Sequence, residues 1–497
     1  MVATSQHLAA QAGLDILKRG GNAVDAAIAT AAALTVVEPC SNGIGSDAFA
    51  IVWMKGKMHG LNSSGTSPAD ISLEKVKAEG HVKMPTLGWL PVTVPGTPAA
   101  WASLSKKFGN LSLRDCLEPA ITYATEGFPI SPSVGLAWQR AANVYKDFTD
   151  WQKTFGHVKI GQKWSSPDHA KTLAEIGDTY AESFYTGRLA QKISAASKQQ
   201  GGYLKLDDLA NYKPRWVEPI SVNYRGYDVW EIPPNGQGIV ALMALNILKQ
   251  YDLKYQDAES YHKQMEAIKM AFAVGKQMIT DPNKMKISPA ELLNYASKLQ
   301  ISDIAQEPIV KEPVKGGTVY LATADGDGNM VSYIQSNYMG FGSGVVIPGT
   351  GIAMQNRGSD FSLDPNHSNC LEGGKLCYHT IIPGFLTKDG EAVGPFGLMG
   401  GYMQPQGHVQ LMVNSIDLGL NPQAALDAPR WQWTADKNFM VESHFSVDIA
   451  RELARKGHNI QMAIDSTSFG RGQIIWRDKD VLLGGTESRA DSAVVGW

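Results

Sequence analysis

The residue pattern changes abruptly at Gly317-Thr318, and no single-class fold accommodates both sides of the change. Upstream, residues 97–299 carry apolar side chains at helical spacing between polar loops. Downstream, Thr318-Val319-Tyr320-Leu321-Ala322-Thr323-Ala324 alternates and is rich in β-formers, Asp325-Gly326-Asp327-Gly328 makes a turn, and Met330-Val331-Ser332-Tyr333-Ile334 returns as a second strand. Between the two regimes, Gln300 to Gly317 holds Pro308, Pro313 and Lys315-Gly316-Gly317 with no sustained period, the pattern of an exposed loop or linker. The chain is therefore read as α+β, with a hairpin launched from a loop.

The N-terminal region mixes helix and strand in the same way. Spacing predicts a helix from Gln6 to Lys18, stopped at Gly20-Gly21, and a second from Asn22 ending before Pro39. The uncharged run from Ala26 to Val37 lies between Asp25 and Glu38 and is well short of the ~20 residues a membrane-spanning helix needs, so it reads as a buried helix. Next comes the glycine-rich turn Ser41-Asn42-Gly43-Ile44-Gly45-Ser46-Asp47, which lacks dinucleotide-binding spacing and leads into a strand over Ala48 to Trp53. Near Tyr224 to Gly238 a strand and the turn Pro233-Pro234-Asn235-Gly236 interrupt the helical region.

Composition narrows the function. A chain of 497 residues with 43% apolar content buries a large core. A net charge of −3 with no block of like charges argues against nucleic-acid and membrane partners, leaving small molecules or peptides. Cys40, Cys116, Cys370 and Cys377 are too few and too scattered for a disulfide framework or a paired zinc motif, so reduced thiols are expected. No secretory pattern is legible ahead of the first helix, which sets the cytoplasm as the expected compartment.

HExxH, GxSxG and the P-loop pattern are absent, and the histidines are scattered singly. No metal and no organic cofactor is expected. The DxDxN spacing at Asp325 lacks the glycine and the closing glutamate of a calcium loop and reads as a hairpin turn.

What remains is Gly316-Gly317-Thr318 at the opening of a strand. Small residues let a threonine hydroxyl reach the preceding carbonyl, and cleavage there creates an α-amino group whose reference pKa of ~7.7–8.0 suits a base for that hydroxyl. A plain turn feeding a hairpin has the same local sequence.

Other segments separate these readings. Gly20-Gly21-Asn22-Ala23-Val24-Asp25-Ala26-Ala27, Glu38-Pro39 with its glycine turn, Val94-Pro95-Gly96-Thr97, Tyr224-Arg225-Gly226-Tyr227, Thr318, Asp325 to Asn329, Phe341-Gly342-Ser343-Gly344, Asn356 with Asp360-Phe361, and Gly400-Gly401 occur in order. Over nearly its whole length the chain resembles the γ-glutamyltranspeptidase family of N-terminal-nucleophile hydrolases. The resemblance implies a four-layer αββα sandwich, self-cleavage between Gly317 and Thr318, and two fragments, 1–317 and 318–497, that stay interlocked as a heterodimer. Further dimerisation is left open.

The same resemblance implies roles for individual residues. Thr318 aligns with the nucleophile, Ser336 with a supporting hydroxyl, Gly400 and Gly401 with the pair whose N–H groups face the tetrahedral intermediate, and Asp360 with the acid that holds a substrate α-amino group. Where transpeptidases carry an arginine for the substrate α-carboxylate, Ser64 stands here, and a serine does not replace a bidentate guanidinium. Tyr338, Arg357 and the pair His379-Thr380 stand where that family has asparagine, glutamine and two serines. Arg357 beside Asn356 offers a carboxylate clamp from another wall of the pocket, while His379 and His408 read equally well as packing or pocket-wall residues.

The segments around Gln335 to Tyr338, Tyr378 to Pro383 and Gly400 to His408 look more like the transpeptidase-like acylase branch, which includes oxamate amidohydrolase. The expected activity is hydrolysis of a small acyl amide, oxamate-like or γ-glutamyl, through an acyl-enzyme. A true γ-glutamyltransferase and an unprocessed scaffold are the alternatives.

Overall fold

The computed structural model describes residues 1–156, 158–308 and 316–497. Within the Gln300–Gly317 linker, residues 301–308 have no helix or strand, and 309–315 lie outside the described residues.

The strands that build the two main sheets are β1 (Val2–Thr4), β2 (Asp47–Met54), β3 (Lys57–Ser63), β4 (Arg215–Val217), β5 (Ile220–Tyr224), β6 (Tyr227–Glu231), β7 (Gly317–Ala324), β8 (Met330–Tyr338), β9 (Gly384–Lys388), β10 (Glu391–Met399), β11 (Arg471–Asp478), β12 (Val481–Thr486) and β13 (Ala493–Val495). A seven-stranded sheet runs β13-β1-β7-β8-β2-β3-β4, and a six-stranded sheet runs β12-β11-β10-β9-β6-β5. Neighbouring strands are antiparallel in both.

Period-two alternation sorts the side chains of the first sheet into two cores. Val319 and Leu321 of β7, Val331 and Tyr333 of β8, and Ala48, Ala50 and Val52 of β2 pack with α1 (His7–Lys18) and α2 (Ala23–Val37). Their neighbours Tyr320, Ala322, Met330, Ile334, Phe49 and Ile51 face the other way, onto Phe385 of β9 and Ile475 of β11. On the far side of the second sheet, Phe396, Leu398 and Ile474 pack with α3 (Gly238–Leu248), α4 (Ala258–Met278) and α5 (Met403–Met412).

Both N-terminal helices lie where spacing predicted them. Every residue of α2 is buried, which its Ala-rich composition permits. Its start is fixed by a capping box: Asn22 accepts from the N–H groups of Val24 and Asp25, while Asp25 accepts from the N–H of Asn22 at 3.0 Å and of Asn110 at 2.9 Å. The single strand expected near Tyr224 is instead the hairpin β5–β6, which turns at Arg225-Gly226 with φ of 56° and 85°. Arginine in the left-handed region carries none of the usual Asn-Gly signal, so the turn was hidden in the sequence.

All four cysteines are unpaired. Among the described residues no helix is long and apolar enough to cross a membrane.

Candidate active site

Thr318 is the second residue of β7, on the face turned toward the second sheet, and it is fully buried. Its partner strand β8 shifts register between Gln335 and Tyr338, so that Tyr338 pairs with Gly317 and one extra residue is accommodated. That irregularity directs Ser336 at the loop-to-strand junction. The Ser336 Oγ lies 2.9 Å from the Thr318 Oγ1, donates to the Gly317 carbonyl at 2.7 Å, and accepts from the Tyr338 N–H at 2.8 Å. Because a serine hydroxyl carries one proton, Thr318 must be the donor in the first of these contacts.

Gly400 and Gly401 link the end of β10 to α5, with φ of 135° and 60° that disfavour a side chain. Their carbonyls accept from the N–H groups of Met403 and Gln404 in the first turn of α5. Among the described residues neither glycine N–H donates a hydrogen bond. Gly316 presses on this turn: a methyl group there would lie 3.1 Å from the Gly401 Cα and 3.0 Å from the Tyr338 carbonyl.

A second cluster is built around Asp360, whose Oδ1 accepts from the Tyr338 hydroxyl at 2.9 Å and from the Tyr402 hydroxyl at 3.0 Å. Arg357 lies with its guanidinium 3.9 Å from the Tyr338 ring centroid, 3.6 Å from Asp360 Oδ2, and donates to the Thr380 Oγ1 at 2.9 Å. Its Nε and Nη2 are buried and have no hydrogen-bond partner. Lys276 of α4 donates to the Tyr402 hydroxyl, and its Nζ sits 3.5 Å from that ring centroid. Burial pushes the Lys276 ammonium down to about 8, with Asp360 acting in the opposite sense. Burial also holds the phenols of Tyr338 and Tyr402 well above their usual range, so both stay protonated donors.

Asn356 lies beside this cluster with its side chain spent on the backbone, accepting from the Met339 N–H at 3.1 Å and donating to the Thr86 carbonyl at 2.8 Å. His379 Nε2 is 3.0 Å from Asp47 Oδ2, and its Nδ1 accepts from the Ile381 N–H at 3.3 Å. These partners fix the proton on Nε2. Burial first, and the Arg357 charge second, hold the imidazole well below its usual range, so it is neutral. Burial raises the Asp47 carboxyl to about 7, opposed by Arg357. Ser64, at the position of the transpeptidase arginine, is bound to Asn62 and Asn235, and His408 pairs with Glu231 in the core.

Sequence reasoning missed Lys276 and Asp47. Lys276 reads as one more polar residue of an amphipathic helix, and only tertiary packing brings its ammonium against Tyr402. Asp47 had a signal, an acid at the junction of a glycine turn and an apolar strand, directly opposite Ser336 in the β2–β8 register.

Among the described residues one group could offer three metal donors, His262, Glu266 and His458. Its histidines bond each other at 2.8 Å, and Glu266 is 2.6 Å from the Lys269 ammonium, which takes the place a cation would need.

Comparison with known proteins agrees with this architecture. The family model described as Gamma-glutamyltranspeptidase matches residues 9–497. The glutathione hydrolase-like YwrD proenzyme of Bacillus subtilis is 36% identical over 100% of this chain and 98% of its own length. The oxamate amidohydrolase proenzyme of Klebsiella pneumoniae is 32% identical over 100% and 98%. The crystal structure of cephalosporin acylase from Bacillus halodurans superposes with a TM-score of 0.97 at 58% identity, covering 100% of this chain and 95% of that one. This chain mixes helix and sheet in the N-terminal-nucleophile hydrolase fold, belongs to the γ-glutamyltranspeptidase family, and is an amide hydrolase of that type.

Proposed function

We propose that the chain cuts itself between Gly317 and Thr318 and that the freed Thr318 then hydrolyses small amides whose acyl group bears a carboxylate. The observation that carries the first half is the Thr318–Ser336–Gly317 array. Thr318 passes its proton toward Ser336 as its oxygen attacks the Gly317 carbonyl, which Ser336 polarises by donating to it. Ser336 relays that proton to the Thr318 nitrogen as the tetrahedral intermediate collapses, the C–N bond breaks to free the α-amine, and the ester left on Thr318 is hydrolysed by water. The products are a large subunit, 1–317, and a small subunit, 318–497, in one interlocked unit that we read as the four-layer αββα sandwich.

In turnover the new α-amine of Thr318 acts as base, the acyl group passes to its Oγ1, and the N–H groups of Gly400 and Gly401 stabilise the oxyanion. Arg357, with two buried donors to spare, grips the acyl carboxylate, and Lys276 adds a second positive charge. A γ-glutamyl substrate also needs a partner for its α-ammonium. Asp360 is the residue for that: its Oδ1 already accepts from two phenols, and its Oδ2, which has no hydrogen bond, lies 3.6 Å from the Arg357 guanidinium, a cation that an incoming ammonium would have to approach, which favours an acyl group without the ammonium. The relatives named as oxamate amidohydrolase and cephalosporin acylase support hydrolysis of such amides.

The test is intact mass with N-terminal sequencing after incubation, followed by glutaryl, oxamyl and γ-glutamyl amides as substrates. A fragment beginning Thr-Val-Tyr-Leu and faster turnover of the ammonium-free acyl amides are expected. An unbroken chain would leave the scaffold reading, and γ-glutamyl preference with release to acceptor amines would mean a transferase.

Lys276 gives a pH prediction. Its ammonium, lowered to about 8, is charged below that pH and neutral above it. The KM for an anionic acyl amide should therefore rise roughly fivefold as pH passes 8, the worth of about 1 kcal/mol for one screened charge. In Lys276→Met the KM should be high throughout and lose this step. A step that survives in the variant would assign it to another group.

A further inference from the structure

The turn Pro233-Pro234-Asn235-Gly236 runs directly into a buried amide. Gln237 stands immediately before α3 and is fully buried. Its side-chain nitrogen donates to the Thr380 carbonyl at 2.7 Å and to the Gly401 carbonyl at 3.0 Å, and its Oε1 accepts from the Tyr378 hydroxyl at 3.0 Å. Two carbonyls accept only, so the amide has a single orientation in which both of its protons are used. The backbone N–H of Gln237 donates to the His379 carbonyl at 2.9 Å, and the His379 N–H donates to the Asn235 carbonyl at 2.9 Å. Three of the contacts of Gln237 are thus with residues 378–380, and the fourth is with Gly401.

The fourth contact stands alone. The Gly400 carbonyl accepts from the Met403 N–H at 3.1 Å and the Gly401 carbonyl from the Gln404 N–H at 3.2 Å, both bonds internal to the same turn. Among the described residues, Gln237 makes the one hydrogen bond that ties Gly400 or Gly401 to anything outside residues 400–404. A pair of glycines needs such a tie, because it has no side chain to pack and the widest backbone freedom of any residue. Donors aimed at an oxyanion stabilise it fully only when their direction is set before the charge develops.

We infer that Gln237 is the positioning residue of the oxyanion turn: anchored on residues 378–380, it holds the Gly401 carbonyl and thereby sets the direction in which the Gly400 and Gly401 N–H groups point. This rests on the reading of the chain as an acyl amide hydrolase. It gives the fragment 1–317 a part in the chemistry of a nucleophile carried by the other fragment, since Gln237 and Gly401 lie on opposite sides of the cut. Every acyl group develops its oxyanion at the same place, so the loss of Gln237 should slow turnover without regard to acyl charge, unlike the loss of Arg357.

The experiment compares wild type with Gln237→Met, which fills a similar space without donors, on the glutaryl and valeryl amides of aniline, two acyl groups of the same length that differ in one carboxylate. For both amides kcat should fall by roughly 10- to 10²-fold, the scale of a misplaced group and short of the loss of a donor outright, while KM stays within about twofold. Gln237→Glu, of the same shape, covers the case in which the methionine variant does not fold. Protonated, its carboxyl offers one donor; ionised, it offers none and turns a negative charge on two carbonyls. Its kcat relative to wild type should therefore step down as pH rises through the titration of that carboxyl. Unchanged kcat in the methionine variant, a loss confined to the glutaryl amide, a loss carried wholly by KM, or a glutamate variant without the pH step overturns the inference. Wild-type protein that hydrolyses neither amide defeats the hydrolase reading and the inference with it, whereas wild-type turnover matched by the methionine variant defeats the inference alone.

Discussion

Thr318→Ala protein is expected to persist as a single chain of 53.7 kDa and to hydrolyse no amide above background. The substitution removes the hydroxyl that contacts Ser336, while leaving the Ser336 bond to the Gly317 carbonyl intact. Polarisation without a nucleophile achieves neither step. Losing a nucleophile that works as a unit with its neighbours costs on the order of 10⁴-fold or more in kcat. Thr318→Ser keeps the oxygen and should still cleave, more slowly because the hydroxyl loses the methyl group that fixes its rotamer. Mass spectrometry over several days checks both variants. Fragments in the alanine variant, or turnover by its uncut chain, would remove Thr318 from both roles.

Arg357→Met is expected to lower kcat/KM for a carboxylate-bearing acyl amide by about 10²- to 10³-fold, the loss on truncating one side of a buried, hydrogen-bonded charge pair. Methionine keeps the packing over the Tyr338 ring, so the protein should fold, which thermal unfolding verifies. Arg357→Lys should rescue little, because an ammonium does not reproduce the fork that leaves Nε and Nη2 free while Nη1 holds Thr380. The variant also separates substrate classes: an amide with an uncharged acyl group should be far less affected. Equal losses for charged and uncharged acyl groups would make Arg357 a prop for Tyr338 and Thr380 rather than a binding group.

The juxtaposition of Thr318 with Ser336 was legible in the chain because it is local, whereas the roles of these two residues and of Gly400 and Gly401 came from the family resemblance. Thr318 and Ser336 are joined by a hairpin with a clear turn, and Gly400-Gly401 stands between a strand and a helix, where close backbone approach needs glycine. The pocket end was legible only in part. Arg357, Asp360, Tyr338 and Thr380 were named from the sequence and do cluster, whereas Lys276, Tyr378 and Tyr402 reach the cluster from α4, from the approach to β9 and from the cap of α5. Such convergence depends on sheet order and helix docking, and neither leaves a trace in spacing. Asn356 illustrates the opposite difficulty: its type suits a ligand contact, but in the fold both ends of its amide brace the loop that carries Met339.

The pairing of β1 bears on the timing of the proposed cleavage. Val2 lies opposite Thr323 of the nucleophile strand on one side and opposite Val495 on the other. The sheet around Thr318 is thus completed by pairings of very long sequence separation, Val2 with Thr323 and Val2 with Val495, which are entropically costly to close. Under the proposed self-cleavage, slow appearance of two fragments would therefore report delayed assembly of the sheet as readily as impaired chemistry at the cut.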